Sequence, residues 1–76
     1  MTTEYVALPA PPTAEIVAAL CALGGEVSVT AQRGEDARGV PRVVLTLTHP
    51  DPQRVASARQ AVLRECQRLR LRAIVV

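Results

Sequence analysis

Large aromatic side chains are almost missing from this sequence. It contains no Phe, no Trp and one Tyr, Tyr5, among 76 residues. The hydrophobic content is nevertheless 49%, so Val, Leu, Ile and Ala must build the core. A chain with this apolar content and a small net charge is expected to be globular rather than disordered. Its length leaves room for one core, so we expect a single domain over residues 1–76.

Lysine is also absent, and all nine basic residues are Arg. Their distribution along the chain is uneven. Residues 1–37 hold one Arg and five acidic residues, whereas residues 38–76 hold eight Arg and two acidic residues. Such asymmetry between two halves favours an anionic partner or head-to-tail self-association.

Residues that commonly carry catalysis are few. There is one His, the two Cys are not in a Cys-x-x-Cys motif, and no known nucleophile or phosphate-binding motif occurs. His49 and Asp51 could form an acid–base pair, but Asp51 is better explained as a helix cap. We therefore expect no enzyme, no metal site and no cofactor. Cys21 and Cys66 are expected to be reduced thiols that act as small apolar residues.

Signals for export or membrane insertion are not found in the sequence. The first residues lack a basic segment followed by an apolar one, and no apolar run approaches the roughly 20 residues that cross a bilayer. The expectation is a cytoplasmic protein without a membrane partner.

Hydrophobic periodicity and turn residues predict six elements. The predicted strands cover residues 3–8, 26–31, 42–48 and 71–76, and the predicted helices cover residues 13–23 and 52–69. The charged segment 32–41 is predicted to be a loop. Thr13 and Asp51 are expected to cap the two helices, with Pro52 at the first helical position.

The predicted order β-α-β-β-α-β is the split β-α-β, or ferredoxin-like, plan. In this plan a four-stranded antiparallel sheet carries both helices on one face. Alternation in the strands predicts the residues that face the core: Val27, Val29, Ala31, Val43, Leu45 and Leu47. Helical spacing predicts buried stripes in the two helices: Ile16, Ala19, Leu20 and Leu23, then Val55, Ala58, Val62, Cys66 and Leu69.

The opposite face of the sheet should then be open to solvent and rich in β-branched residues. We expect Thr30, Val44, Thr46 and Thr48 on it, and we interpret them as contacts for a protein partner. The last strand should form a sheet edge that a second copy could cover. The leading interpretation is a protein-interaction module that forms a homo-oligomer through this face or an edge strand.

The alternative interpretation is binding of nucleic-acid phosphates by the second helix. Arg54, Arg64 and Arg68 are expected to gather on its outer face and to bind an anion. The element order is shared with RNA-recognition domains, which stack bases on aromatic residues. No aromatic residue occurs in the strand 42–48, so nucleic acid is the less favoured partner.

A further alternative comes from architecture alone. The predicted plan resembles that of ACT domains, whose members bind small effectors at a glycine in the first strand-to-helix turn. That turn here, residues 8–12, contains no glycine. A small-ligand regulatory domain is therefore the least favoured of the three functions.

Overall fold

The computed structural model describes residues 1–10 and 12–76; Pro11, in the first predicted turn, lies outside the described residues. Its elements are β1 (Thr2–Leu8), α1 (Ala14–Ala22), β2 (Ser28–Glu35), β3 (Pro41–His49), α2 (Pro52–Arg68) and β4 (Ile74–Val75). The order of the elements is the predicted one.

The four strands form one sheet in the order β2-β3-β1-β4, and all neighbours are antiparallel. Because β1 and β2 both run antiparallel to β3, they run parallel to each other on its two sides. By the same argument, β3 and β4 run parallel on the two sides of β1. Each helix therefore joins two parallel strands that a third strand separates. The protein is an α+β fold with an antiparallel sheet and two helices.

One face of the sheet is covered by the helices. Val6 and Leu8 in β1 are fully buried, as are Leu45 and Leu47 in β3. Residues of both helices belong to the same core cluster: Leu20, Val55, Ala58, Val62 and Cys66. The inward direction predicted for Val43, Leu45 and Leu47 is confirmed.

The second helix follows its prediction closely. The Asp51 carboxylate accepts a hydrogen bond from the Gln53 amide at 2.9 Å, and Pro52 opens the helix. Val55, Ala58, Val62 and Cys66 are buried as expected, and Leu69 is half-buried. In the described part of the chain, no helix combines the length and the apolar character needed to cross a membrane.

The first helix is capped as predicted, but the side of the helix that faces the core differs from the predicted side. Thr13 Oγ1 accepts a hydrogen bond from the Ile16 amide at 3.4 Å. Leu20 is buried, whereas Ala19 and Leu23 are exposed. Ile16 is partly buried as predicted, and Val17 and Cys21 are partly buried in place of Ala19 and Leu23. The prediction for Ala19 and Leu23 was wrong because Glu15 is the only polar residue between 14 and 22, so the sequence does not single out one face.

The predicted loop 32–41 was also wrong. Strand β2 continues to Glu35 and β3 begins at Pro41, so the loop shrinks to residues 36–40. The Asp36 carboxylate shapes this loop by accepting hydrogen bonds from the amides of Arg38 (2.8 Å) and Val40 (3.0 Å). Ala31, predicted to face the core, is exposed. Residues 32–41 contribute nothing to the core cluster. They therefore lack the alternation of apolar and polar residues that marks a half-buried strand.

The last strand is shorter than the predicted 71–76. Only Ile74 and Val75 pair with β1, and the Val76 amide then donates to the Tyr5 carbonyl at 3.2 Å. Leu71 and Ala73 pack against the core before the strand begins. The segment before β4 therefore packs against the core without forming a strand. The chain then pairs with β1 over two residues only.

Candidate functional site

The sheet face opposite the helices holds the candidate site, which we call the open face. Its central row crosses β2, β3 and β1 and ends at the residue that follows β4. Tyr5 lies opposite Thr46, and Thr46 lies opposite Thr30. On the other side of Tyr5, the backbone hydrogen bond from Val76 places that residue at the end of the row.

Two further rows flank the central one. Ala7 lies between Ile74 and Val44, and Val44 lies opposite Gln32. On the other flank, Thr48 lies between Thr3 and Ser28. Together these three rows define the open face, and they contain no charged side chain.

Exposure varies across the open face in a regular way. Tyr5 is 45% exposed, Ile74 42% and Val76 77%, and Val44 is half-buried between its neighbours. These four residues form an apolar patch that spans β4, β1 and β3. Towards β2 the same rows end in Ser28, Thr30 and Gln32, which are polar and exposed. Two of the three rows therefore change from apolar to polar across the sheet, whereas the row of Thr3, Thr48 and Ser28 is polar throughout.

The structure brings the four predicted contact residues together. Thr30, Val44, Thr46 and Thr48 lie on the open face in neighbouring rows. Val44, Thr46 and Thr48 are half-buried and Thr30 is exposed. Their shared face is thus as predicted, while their role as partner contacts stays a prediction.

Sequence reasoning missed Tyr5, Ile74 and Val76 as members of this surface. Strand β1 contains three consecutive apolar residues, 6–8, so alternation does not tell which side of the strand faces the core. The one available signal was Tyr5 itself, since an aromatic ring with a hydroxyl group is suited to a surface that is half wet and half apolar.

The three arginines predicted to bind an anion do not form a free cluster. Arg54 is paired with Glu26 (Nη1–Oε2, 2.8 Å) and lies 3.9 Å from Asp51. Arg68 forms an ion pair with Glu65. The hydrogen bond from Arg68 holds the pKa of Glu65 below its usual range, and the same contact raises the pKa of Arg68. Arg64 alone among the three has no carboxylate partner within the described residues.

His49 and Asp51, considered above as an acid–base pair, both accept hydrogen bonds from the backbone. His49 Nδ1 accepts a hydrogen bond from the Asp51 amide at 2.9 Å, while the Asp51 carboxylate caps α2. Within residues 1–10 and 12–76, no group of three His, Cys, Asp or Glu side chains is placed to hold a metal ion.

Both cysteines are free thiols. Cys66 is buried in the core and Cys21 is half-buried at its margin. Burial raises the pKa of both thiols, and the negative charge of Glu65 raises that of Cys66 further. A raised pKa keeps a thiol neutral and weakly nucleophilic at neutral pH.

Comparison with known proteins gave no match to a family model, a curated protein or a solved structure.

Proposed function

We propose that this chain is a non-enzymatic protein-interaction module that assembles with a second copy of itself through the open face. The observation that carries this proposal is the apolar patch of Tyr5, Val44, Ile74 and Val76, which the protein's own helices leave uncovered. Exposed apolar surface of this kind marks interaction sites. Its central member is the only aromatic residue of the chain, and Tyr is enriched among residues that dominate interfaces.

We further infer that the fold is of the ferredoxin-like kind. Two interleaved β-α-β units support this, since β3 lies between β1 and β2 while β1 lies between β3 and β4. Sheets of this plan carry their helices on one face and leave the other available.

A second copy fits the open face because its three rows carry no charge, and the charge of Arg42 lies in the row beyond Val44, at the border of the face. Two identical patches can face each other across a two-fold axis without repulsion between like charges. When Tyr5 lies near this axis, Tyr5 of one copy is close to Tyr5 of the other. Covering the patch also adds apolar burial to a domain whose size limits its own core.

The sheet edges are less suited to this association. Strand β4 offers only two paired residues. The free edge of β2 is longer, but it carries Arg33 and Glu35, and charged side chains are a common protection of edges against pairing. Assembly through a face rather than an edge is therefore favoured.

The two free thiols support the cytoplasm as the working compartment, since thiols of secreted domains are commonly joined in disulfides. This part of the proposal is independent of the assembly surface.

Solution mass by size-exclusion chromatography with light scattering tests the assembly. We expect a dimer whose mass does not change between low and high salt, because apolar burial is not screened. Tyr5→Glu should give a monomer, since it places one unneutralised charge at the centre of each patch. The matched control is Ala18→Glu, which adds the same charge on an exposed residue of α1 and should leave the dimer intact.

Circular dichroism keeps this test interpretable. If Tyr5→Glu fails to fold, Tyr5→Thr replaces it, because Thr suits a strand and still removes the aromatic contact area. A wild-type monomer at all concentrations would overturn the proposal, as would a dimer that the folded Tyr5 variants leave unchanged.

A further inference from the structure

The hairpin between β2 and β3 extends beyond the rest of the sheet. Strand β1 ends at Leu8, which lies opposite Val43. The pairs Gly34–Arg42 and Glu35–Pro41 and the loop 36–40 lie beyond that point, and we call residues 34–42 the arm. Every residue from 30 to 42 is exposed, so both faces of this two-stranded ribbon are accessible.

The topology brings the carboxyl end of α2 to the same end of the molecule. Helix α2 starts just after His49, at the far end of β3, and the chain re-enters the sheet at Ile74, opposite Ala7. Residues near the end of α2 and in the segment before β4 must therefore lie at the end of the sheet from which the arm extends. Six arginines consequently share this end, and we call them the arginine end: Arg33, Arg38, Arg42, Arg64, Arg70 and Arg72.

Ion pairing separates these six arginines from the other three. Arg54 and Arg68 are paired with Glu26 and Glu65, and Arg59 binds both carboxylate oxygens of Glu4 at 2.7 and 2.8 Å. No ion pair involves any arginine of the arginine end in the described part of the chain. Their guanidinium groups are thus available to an external anion.

The charge of the whole molecule is correspondingly polarised. The end with the arm holds seven Arg and four acidic residues, namely Glu15, Glu35, Asp36 and Glu65. Glu65 is paired with Arg68, whereas Asp36 keeps its negative charge while it accepts hydrogen bonds from the amides of its own loop, so this end has a net charge of +3. The opposite end holds Arg54 and Arg59 against three acids: Glu4, Glu26 and Asp51. The opposite end therefore has a net charge of −1, and an extended anion is attracted to the end with the arm. Within the arm Glu35 and Asp36 offset Arg38 and Arg42, so the excess positive charge comes from the other arginines of this end.

From this arrangement we propose that the arginine end binds the backbone of double-stranded DNA, with the arm lying as a two-stranded ribbon in the major groove. Arg33, Arg38 and Arg42 contact the phosphates that border the groove, and Arg64, Arg70 and Arg72 contact the adjacent backbone. A major groove about 12 Å wide admits a two-stranded β-ribbon, whose strands are about 4.8 Å apart. The planar guanidinium fork matches the geometry of phosphate oxygens.

A duplex also fits the spread of the charges. The four strands of the sheet span about 14 Å between their outer axes, and a DNA duplex carries one phosphate charge per about 1.7 Å of its axis. A single small anion would engage only part of such an array. DNA binding adds to the proposed self-assembly and does not depend on it, because the three rows of the open face contain none of the six arginines, although Arg42 borders them on the same side of β3.

Fluorescence anisotropy with a labelled DNA duplex of about two helical turns tests the proposal. Binding should weaken linearly on a plot of log affinity against log salt. Arg38→Gln/Arg42→Gln should reduce the slope of that plot by about 2 and weaken low-salt binding at least about tenfold. The control, Gln53→Glu/Ser57→Glu, lowers the net charge by the same amount at exposed residues of the opposite end and should leave the slope nearly unchanged.

Three outcomes would overturn the proposal. The first is no binding of the duplex at low salt, and the second is an equal loss for both double variants, which would reduce the effect to net charge. The third is tighter binding of a single strand, an RNA duplex or a poly-glutamate peptide than of the DNA duplex, which would assign the arginine end to that partner. Light scattering on Arg38→Gln/Arg42→Gln should still give the wild-type mass, so failure here is distinct from failure of self-assembly.

Discussion

The two faces of the sheet are built from the same strands but differ in burial. On the covered face, Leu45 and Leu47 of β3 are completely buried under the helices. On the open face, Val44 and Thr46 of the same strand remain partly accessible. Adjacent residues in one strand therefore differ in burial because of the helix layer, and not because of their position along the chain.

This difference shows where stability and interaction reside. The covered face is filled by Val and Leu and supplies most of the hydrophobic stabilisation. The open face keeps its one aromatic residue and several β-branched residues without any cover. Substitutions on the covered face should therefore act on the free energy of unfolding, and those on the open face on assembly.

The largest effect on the free energy of unfolding is expected when substitutions at adjacent residues on the two faces are compared. Leu45→Ala should lower the free energy of unfolding by about 2–5 kcal/mol, because it removes buried methyl groups and leaves a cavity. Thr46→Val, at the next residue but on the open face, should change it by less than about 1 kcal/mol. Urea unfolding at one fixed protein concentration measures both. Equal destabilisation by the two variants would contradict the division between the faces.

A smaller effect on the free energy of unfolding is expected at Gly24, in the connection between α1 and β2. A Cβ atom on Gly24 would lie 2.5 Å from Val29 Cγ2 and 2.6 Å from the Val27 carbonyl oxygen. Gly24→Ala should therefore destabilise the fold by about 1–3 kcal/mol through overpacking.

Gly34 in the arm provides the control, because a Cβ atom there meets nothing within 4 Å. Gly34→Ala should change the free energy of unfolding by less than about 1 kcal/mol. A thermal scan that finds Gly24→Ala as stable as wild type would show that the α1–β2 connection can shift outward at little cost.

The smallest effect is a pH dependence that comes from the covered face. Because burial raises the pKa of Cys66 and Cys21 in the folded state, the unfolded chain releases these protons first as the pH rises. The stabilising contribution is complete below the ordinary thiol pKa of roughly 8.5 and is lost at higher pH. Urea unfolding at pH 7 and about 9.5 should show lower stability at the higher pH.

Cys66→Ala separates this contribution from other titrations in the protein. The fall in stability between the two pH values should be smaller in this variant than in the wild type. An identical fall would mean that Cys66 does not contribute to the pH dependence.

Much of the fold could be predicted because its signals are local. The caps at Thr13 and Asp51 and the alternation of 43–47 were all correct. The arm was missed, since a ribbon that is exposed on both faces has no apolar alternation to mark it. The buried side of α1 was misassigned for the opposite reason, because apolar residues surround almost the whole helix.

The candidate site was predictable only in part. Thr30, Val44, Thr46 and Thr48 share a face, as the two-residue period of a strand requires. The centre of the apolar patch at Tyr5 could not be assigned, since residues 6–8 are all apolar. The ion pair of Arg54 could not be predicted, since its partner Glu26 is distant in sequence and close only in the fold.

The sequence by itself determined the order of the elements, the helix caps and the inward side of β3. These features depend on residues within a few positions of one another, so neighbouring side chains and backbone conformations are sufficient to specify them. Only the tertiary structure decided which apolar residues stay exposed and which arginines stay free. Burial and ion pairing depend on which elements pack together, as in the Arg59–Glu4 pair, whose members lie 55 residues apart.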